Sequence, residues 1–495
     1  MPSWGRGSLR RIIAARHPRP VASGRRLSPD PREGSGLGRA ARASAGSETF
    51  AVTALSQAQT QVRIRFSAPR LIALSAYWLA INYLWQGMGA LILPRLIVGT
   101  VASGHRGTAL AVIAAGGAIL AILVQPAAGA LSDRCRLPWG RRRPYMLAGT
   151  LGDIVCLFGL SVAGSYGALL VPYFALQICS NTAEGAYQGL LPDQVPSHER
   201  GRAAGYYGIA VFTGTAIGFL LTGQLIAVGH IRLALLSVAV VLLLALAATL
   251  IFVPDSPARE PRPPRRTALL GVFSFRPQEN PDFTWLLVSR LLALMGITGL
   301  TDFALLYIKA TYYPGSGSAI ANRASGATSI LLAVVVLVAI VVTLPAARLS
   351  QRVGRRALVR SAAWLGAAGT LLLILAHSLL WVYLIGFLIG GAFGMLLSVD
   401  WAFVVDLVPP AAAGRYMGIS NLATAGSGIL ATVIAGPLLD FGNGIHHNAG
   451  FPMIFGFFSI ALILGGWLVW RVRLPGQGAE IQGSTSTAGV STPGG

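Results

Sequence analysis

The chain has 495 residues, 54% of them apolar by class and only 11% charged, against about 25% charged in an average soluble protein. That composition excludes an ordinary soluble globular protein and describes a chain built for lipid. The net charge of +22 does not point to nucleic acid: the arginines fall in the amino-terminal tail and in alternate short loops, not on one soluble face. Their expected partners are anionic lipid headgroups.

Residues 1–66 are rich in Arg, Ser, Gly and Pro and lack a sustained apolar period, so a disordered tail is expected. A transit peptide has a similar composition, and a misassigned start codon gives the same appearance. Twelve apolar spans follow, each near the roughly 20 residues that cross a bilayer. They cover 71–94, 108–131, 145–164, 168–190, 203–228, 232–253, 283–308, 326–346, 358–377, 380–405, 416–438 and 451–470. An even number puts both termini on one side. Tail excluded, one set of loops holds 18 arginines, from Arg134 to Arg415, and the opposite set holds only Arg95, Arg106, Arg232, Lys309 and Arg323. That asymmetry predicts a multi-pass plasma-membrane protein with both termini in the cytoplasm. Cys135, Cys156 and Cys179 show neither paired nor metal-ligand spacing and read as reduced thiols.

The loop after span two, Gly129 to Pro144, reads GALSDRCRLPWGRRRP, with five arginines and one aspartate in 16 residues. A shorter version, RLSQRVGRR, returns at Arg348 to Arg356 after span eight. A second repeat is sharper. Asp193, Val195, Pro196, Gly201, Arg202 and Gly205 recur as Asp406, Val408, Pro409, Gly414, Arg415 and Gly418, offset by 213 throughout. Both copies join an even span to the next odd span, so the chain is read as a parallel repeat. The expected organisation is a six-helix bundle over 67–253, a Pro- and Arg-rich cytoplasmic linker over 254–282, a second bundle over 283–473 and a disordered tail over 474–495.

LSDR followed by WGRRRP between two apolar spans resembles the loop between helices two and three of the major facilitator superfamily. Its longer form is similar to the sugar–cation symporter branch, the glycoside–pentoside–hexuronide and plant sucrose carriers. PDSP after span six resembles the P-E-S-P of many facilitator sugar carriers. The resemblance implies an all-α integral membrane fold, twelve transmembrane helices in two bundles related by pseudo-twofold symmetry, rocking about a central site. It also implies that the loop acid pairs with an adjacent helix and holds the cytoplasmic face shut. Here that role falls to Asp133, with Arg134, Arg141, Arg142 and Arg143 in its network. Asp193 with Arg202, and Asp406 with Arg415, are candidate partners on the same face. The second loop copy has Ser350 and Gln351 where the first has Asp133 and Arg134, so it lacks the carboxylate.

Polar groups inside spans are costly and each needs a reason. In span four, Tyr173, Gln177, Asn181, Glu184 and Gln188 are spaced by four, four, three and four, which puts them on one helical face. Such a stripe is expected to line an aqueous cavity. Glu184, its one ionisable acid, is the first choice for a coupling residue, because burial penalises a charged carboxylate and ties it to a proton; a structural hydrogen bond between helices is the alternative. Trp78, Asn82, Trp85 and Gln86 cluster on one side of span one, where amides suit hydroxyls and indoles stack on sugar rings; interface anchoring is the plainer use of the tryptophans. Asp302 in span seven is a second coupling group or outer gate. Asp400 in span ten is an inner gate or a solvated helix end. Asp153 is expected in a structural pair, and Arg95 to snorkel, with attraction of an anionic group as the alternative.

No phosphate loop, HExxH, CxxC or GxSxG occurs, so the chain is read as no enzyme and as needing no cofactor beyond a proton or sodium gradient. His446 and His447 are a weak metal cue. The leading expectation is a monomeric proton-coupled symporter of a small solute, a sugar or glycoside. The alternative is a proton-coupled drug or metabolite efflux antiporter. Facilitator antiporters carry G-x3-GP-x2-GG in span five, whereas this span has Gly208, Gly214 and Gly218 without the proline or the double glycine.

Overall fold

The computed structural model describes residues 67–195, 199–255, 257, 277–408 and 413–473. The tails expected over 1–66 and 474–495, and most of the linker, lie outside the described residues. All the described helices belong to one compact unit, Phe66–Gly495.

Twelve long helices account for the twelve spans: α1 (Ala68–Gly87), α2 (Arg106–Ser132), α3 (Arg143–Val162), α4 (Tyr166–Tyr187), α5 (Arg200–Ala227), α6 (Ile231–Phe252), α7 (Pro281–Tyr312), α8 (Ser318–Val353), α9 (Arg355–Leu372), α10 (Leu379–Leu407), α11 (Ala413–Ile445) and α12 (Gly450–Leu468). No strand occurs among the described residues. Ten of the twelve are long and apolar enough to cross a membrane by length and composition. The other two, α1 and α4, carry the polar side chains discussed below. Large apolar residues stay exposed on the outer faces, among them Val155, Phe158, Val171 and Leu344. In water such a surface is a liability; against lipid tails it is the required one.

The helix pairing has an internal symmetry. Adding six to each helix number turns α1–α5 into α7–α11, α2–α4 into α8–α10, α3–α4 into α9–α10, α3–α6 into α9–α12 and α1–α6 into α7–α12, and all ten pairs are packed. Two pairs that cross between bundles, α2–α11 and α5–α8, exchange under the same operation. This is the pseudo-twofold relation between two six-helix bundles that the sequence repeat predicts.

Small residues set the closest approaches. A Cβ on Gly214 of α5 would lie 2.3 Å from the Leu79 carbonyl oxygen, and one on Gly218 would lie 3.0 Å from that of Tyr83. Glycines of span five therefore let α5 pack against the backbone of α1. In α2 and α4 the same service falls to Gly129 and Gly185, where a Cβ on Gly185 would meet the Gln125 carbonyl oxygen at 2.2 Å.

Two details differ from the sequence expectation. Span one is not a uniform helix: α1 passes through a π-helical turn, Met88–Ile92, into a last helical stretch, Leu93–Thr100. Pro94 has no N–H to give to the carbonyl four residues back and its ring crowds it, which accounts for the widened turn. The second arginine-rich segment is not a loop. α8 continues to Val353, a single glycine, Gly354, with φ +86° turns the chain, and α9 starts at Arg355. A left-handed residue is the usual glycine-dependent stop for a helix.

The bundles hold each other at the end opposite the Arg141–Arg143 loop. Asp440 of α11 accepts from the backbone N–H groups of Gly107 (3.0 Å) and Thr108 (2.6 Å) at the start of α2. Gln224 of α5 donates to Ser329 Oγ of α8 at 2.9 Å, and Arg95 to Asn322 Oδ1 at 2.9 Å. Gly107 and Gly436 are so close that a Cβ on either would lie within 2.3–2.4 Å of the other's carbonyl oxygen.

Candidate functional site

Between the bundles lies a cavity of about 370 Å³, within the size range of small-molecule sites. Gln86 of α1 and Thr215 of α5 reach it from the first bundle; Thr298, Thr301 and Asp302 of α7 and Thr424 of α11 reach it from the second. The rest of the wall is largely apolar, with Phe212, Phe393 and Phe455 among its rings. One carboxylate, one amide and several hydroxyls on such a wall can hydrogen-bond a polyhydroxylated solute and orient it.

The other three residues expected beside Gln86 point elsewhere. Trp78 stacks on Tyr187 (ring centroids 5.9 Å apart, 25° between planes) and lies 6.3 Å from Tyr207. Asn82 donates back to the Trp78 carbonyl oxygen at 2.8 Å. Trp85 packs half-buried against the apolar core. None of the three lines this cavity, because the face of α1 that carries them packs among aromatic and apolar side chains.

The stripe on α4 does form one face, but it is held by its own members and by α2 and does not line this cavity. Gln177 donates to Tyr173 Oη at 3.1 Å, and Asn181 to the Gln177 carbonyl oxygen at 2.8 Å and to Gln177 Oε1 at 3.1 Å. Glu184 is 9% exposed. Its Oε1 accepts from Gln125 of α2 at 2.7 Å and from Gln188 at 3.1 Å. Gln125 is the partner that sequence reasoning missed. An amide within the apolar span α2, beside Pro126, was the available signal. No arginine or lysine pairs with Glu184 among the described residues; its described partners are the two neutral amides.

Two further buried acids differ from expectation. Asp153, 1% exposed, was expected in a structural pair, yet neither carboxylate oxygen has a hydrogen-bond partner among the described residues. Asp400 is no solvated helix end. At 9% exposed it pairs with Arg290 of α7, Nη2 to Oδ2 at 3.0 Å, and Arg290 also donates to Ser420 Oγ (2.7 Å) and Thr424 Oγ1 (3.1 Å) of α11. Arg290 was overlooked in the sequence, although an arginine inside an apolar span is itself a signal.

At the arginine-rich end Arg142 is the hub. It is 5% exposed and its guanidinium pairs with Asp133 (2.5 Å) and Asp193 (3.1 Å) and donates to Ser132 Oγ (2.7 Å) and to the Gly129 carbonyl oxygen (3.2 Å). Arg141 takes the other oxygen of Asp193 at 2.6 Å, and Arg143 donates to the Val253 carbonyl oxygen at 2.8 Å. Asp255, the acid of PDSP, accepts from the backbone N–H groups of Arg142 (2.7 Å) and Arg143 (3.2 Å) and so caps α3. Gly140, with φ +127°, leaves room for that carboxylate, since a Cβ there would lie 2.3 Å from Asp255 Oδ2. Arg134 stands exposed outside the cluster. Arg202 reaches Glu199 at 3.4 Å, while Asp193 is taken by Arg141 and Arg142. The side chains of Asp406 and Arg415 lie outside the described residues. The contacts named here tie together helices of the first bundle. Replacing Arg142 by glutamine leaves two carboxylates sharing a half-buried site, and is expected to cost about 3 kcal/mol. Thermal unfolding in detergent measures it, and lysine, lacking the planar fork, should recover only part of the loss.

The fold is thus that of a helical membrane protein with a cavity between two symmetric bundles. Residues 71–432 and 319–490 match the Major Facilitator Superfamily model, and the chain belongs to that superfamily: it is a membrane transporter, not an enzyme. Human solute carrier family 45 member 4 is 32% identical over 120 residues, covering 21% of this chain and 16% of that protein. The sucrose transport protein SUC4 of Arabidopsis thaliana is 26% identical over 121 residues, 21% of this chain and 24% of that protein. The general alpha-glucoside permease of Schizosaccharomyces pombe is 28% identical over 170 residues, 30% of each. These matches span less than a third of each relative's length. The crystal structure of a D-xylose-proton symporter is similar with TM-score 0.62 at 17% identity, over 83% of this chain and 98% of that one, which shows the shared fold.

Proposed function

We propose that the chain is a proton-coupled sugar or glycoside symporter that works by alternating access. The carrying observation is the cavity between the bundles, where Asp302, Gln86 and four threonine hydroxyls interrupt an apolar wall. Such a wall suits a neutral, hydroxyl-rich solute: hydroxyls and amides meet its edges, and rings such as Phe212 meet its apolar faces. Relatives named as sucrose and α-glucoside carriers support the sugar reading. Glu184 is the coupling carboxylate in this reading, since its described partners are neutral amides. Asp302 faces the solute directly.

Positive residues cluster at one end of the helices, so that end faces the cytoplasm of a plasma membrane, with both termini there and the loops against anionic headgroups. The carrier acts as a monomer, without nucleic acid and without a cofactor other than the ion gradient. The bundles then meet at the outer side. Bonds such as Asp440 to α2 are the closed outer gate, and they must break when the cavity opens outward. The Arg142 cluster, with Asp133, is a positioning device for the inner gate, joined on the second bundle by Arg290–Asp400.

Uptake of labelled sucrose, maltose and glucose into vesicles, with proton or sodium gradients imposed in turn, tests the proposal. An inward proton gradient should drive at least one sugar above its equilibrium level, and a sodium gradient should not. Proton-driven export of unrelated apolar solutes, with no sugar uptake, would replace symport by the antiport reading.

A further inference from the structure

A second, larger cavity of about 600 Å³ lies at the end where the bundles meet. Its wall carries three cations: Arg95 on the stretch after the π turn of α1, Arg106 at the start of α2 and Lys309 on α7. Lys309 is the one lysine of the chain and is 7% exposed. Arg106 is near enough to repel it. None of the three has an ion pair among the described residues. Their hydrogen bonds go to neutral acceptors: Asn322 Oδ1 for Arg95, the Val101 and Val98 carbonyl oxygens for Arg106, and the Gly315 carbonyl oxygen for Lys309. The cavity's one carboxylate, Asp440, spends both oxygens on Gly107 and Thr108. His447 is its remaining titratable group.

Three cations against one committed carboxylate leave this wall with a net positive charge. Like charges drawn out of water repel and are desolvated, and the cost is met only by a counter-charge. Guanidinium and ammonium groups converging from different helices are the donors that oxyanions take. We propose that this cavity binds one small oxyanion, a carboxylate or phosphate group, held between Arg95 and Arg106 of the first bundle and Lys309 of the second. Such an anion bridges the bundles at the end where they touch. The site is separate from the cavity that contains Asp302 and does not depend on which solute the carrier moves.

The test uses the full chain purified in detergent, with inorganic phosphate or acetate titrated at constant ionic strength against potassium chloride. The melting temperature should rise with at least one of the two anions and saturate. Lys309→Gln should weaken that response tenfold or more. Its melting temperature without added oxyanion should equal or exceed that of the unaltered chain, because a repulsion has been removed. Arg106→Gln should behave likewise and serves if the lysine variant does not fold. A phosphate-only or acetate-only response identifies the anion and supports the site. No response to either anion, or an undiminished response in both variants, overturns it.

Discussion

Glu184→Gln is expected to abolish proton-driven accumulation of sugar while leaving exchange of sugar across the membrane in place. The two activities separate for a physical reason. Accumulation requires that the buried acid load a proton on one side and lose it on the other. Exchange requires only that the loaded carrier rock back and forth. Glutamine keeps the size and the hydrogen-bonding capacity of the side chain, so the contact with Gln125, now 2.7 Å, survives as an amide–amide bond. The variant resembles the protonated carrier permanently. Uphill uptake should fall to the equilibrium level, a loss of tenfold or more under a steep gradient, with counterflow within about twofold of the unaltered chain. These are order-of-magnitude expectations from removing an essential proton site. Unchanged uphill uptake removes Glu184 from the mechanism.

The second large effect lies in the other bundle. Arg290→Met strands the Asp400 carboxylate, 9% exposed, beside Ser420 and Thr424. Breaking a buried ion pair from one side costs roughly 3–5 kcal/mol, whereas replacing both partners by apolar residues is often neutral or stabilising. The single variant should therefore unfold at a much lower temperature, and Arg290→Met with Asp400→Leu should recover most of the loss. Thr424 accepts from Arg290 and also lines the central cavity. The double variant should thus fold yet transport poorly, because α7 and α11 are no longer held in register beside the solute. A double variant as unstable as the single one contradicts the pairing, and one that transports normally contradicts its role beside the cavity.

Much of the architecture was legible because it rests on periodicity. Twelve apolar runs and a 213-residue offset require only the bilayer's thickness and a duplicated bundle. The stripe on α4 was legible for the same reason: spacing of three and four fixes a helical face. What faces that stripe was not. Gln125 lies 59 residues from Glu184 and Arg290 lies 110 from Asp400, and no local pattern joins them. The tryptophans of span one show the opposite failure. Their chemistry suits a sugar, but Trp78 packs in an aromatic cluster with Tyr187 and Tyr207, and Trp85 packs against the apolar core. Asp255 looked like part of a family signature, and its work is to cap α3 through two backbone N–H groups. The second arginine-rich segment was misread as a loop because one left-handed glycine, Gly354, does there what ten residues do between α2 and α3 — nothing in composition distinguishes the two.

In the proposed mechanism solute and proton cross the membrane together. Sugar-evoked proton movement into vesicles of the purified chain, followed with an internal pH dye at zero initial gradient, tests it most directly. The lumen should acidify in proportion to sugar entry, and the acidification should vanish with Glu184→Gln. Sugar entry at full rate with no change in internal pH would contradict it.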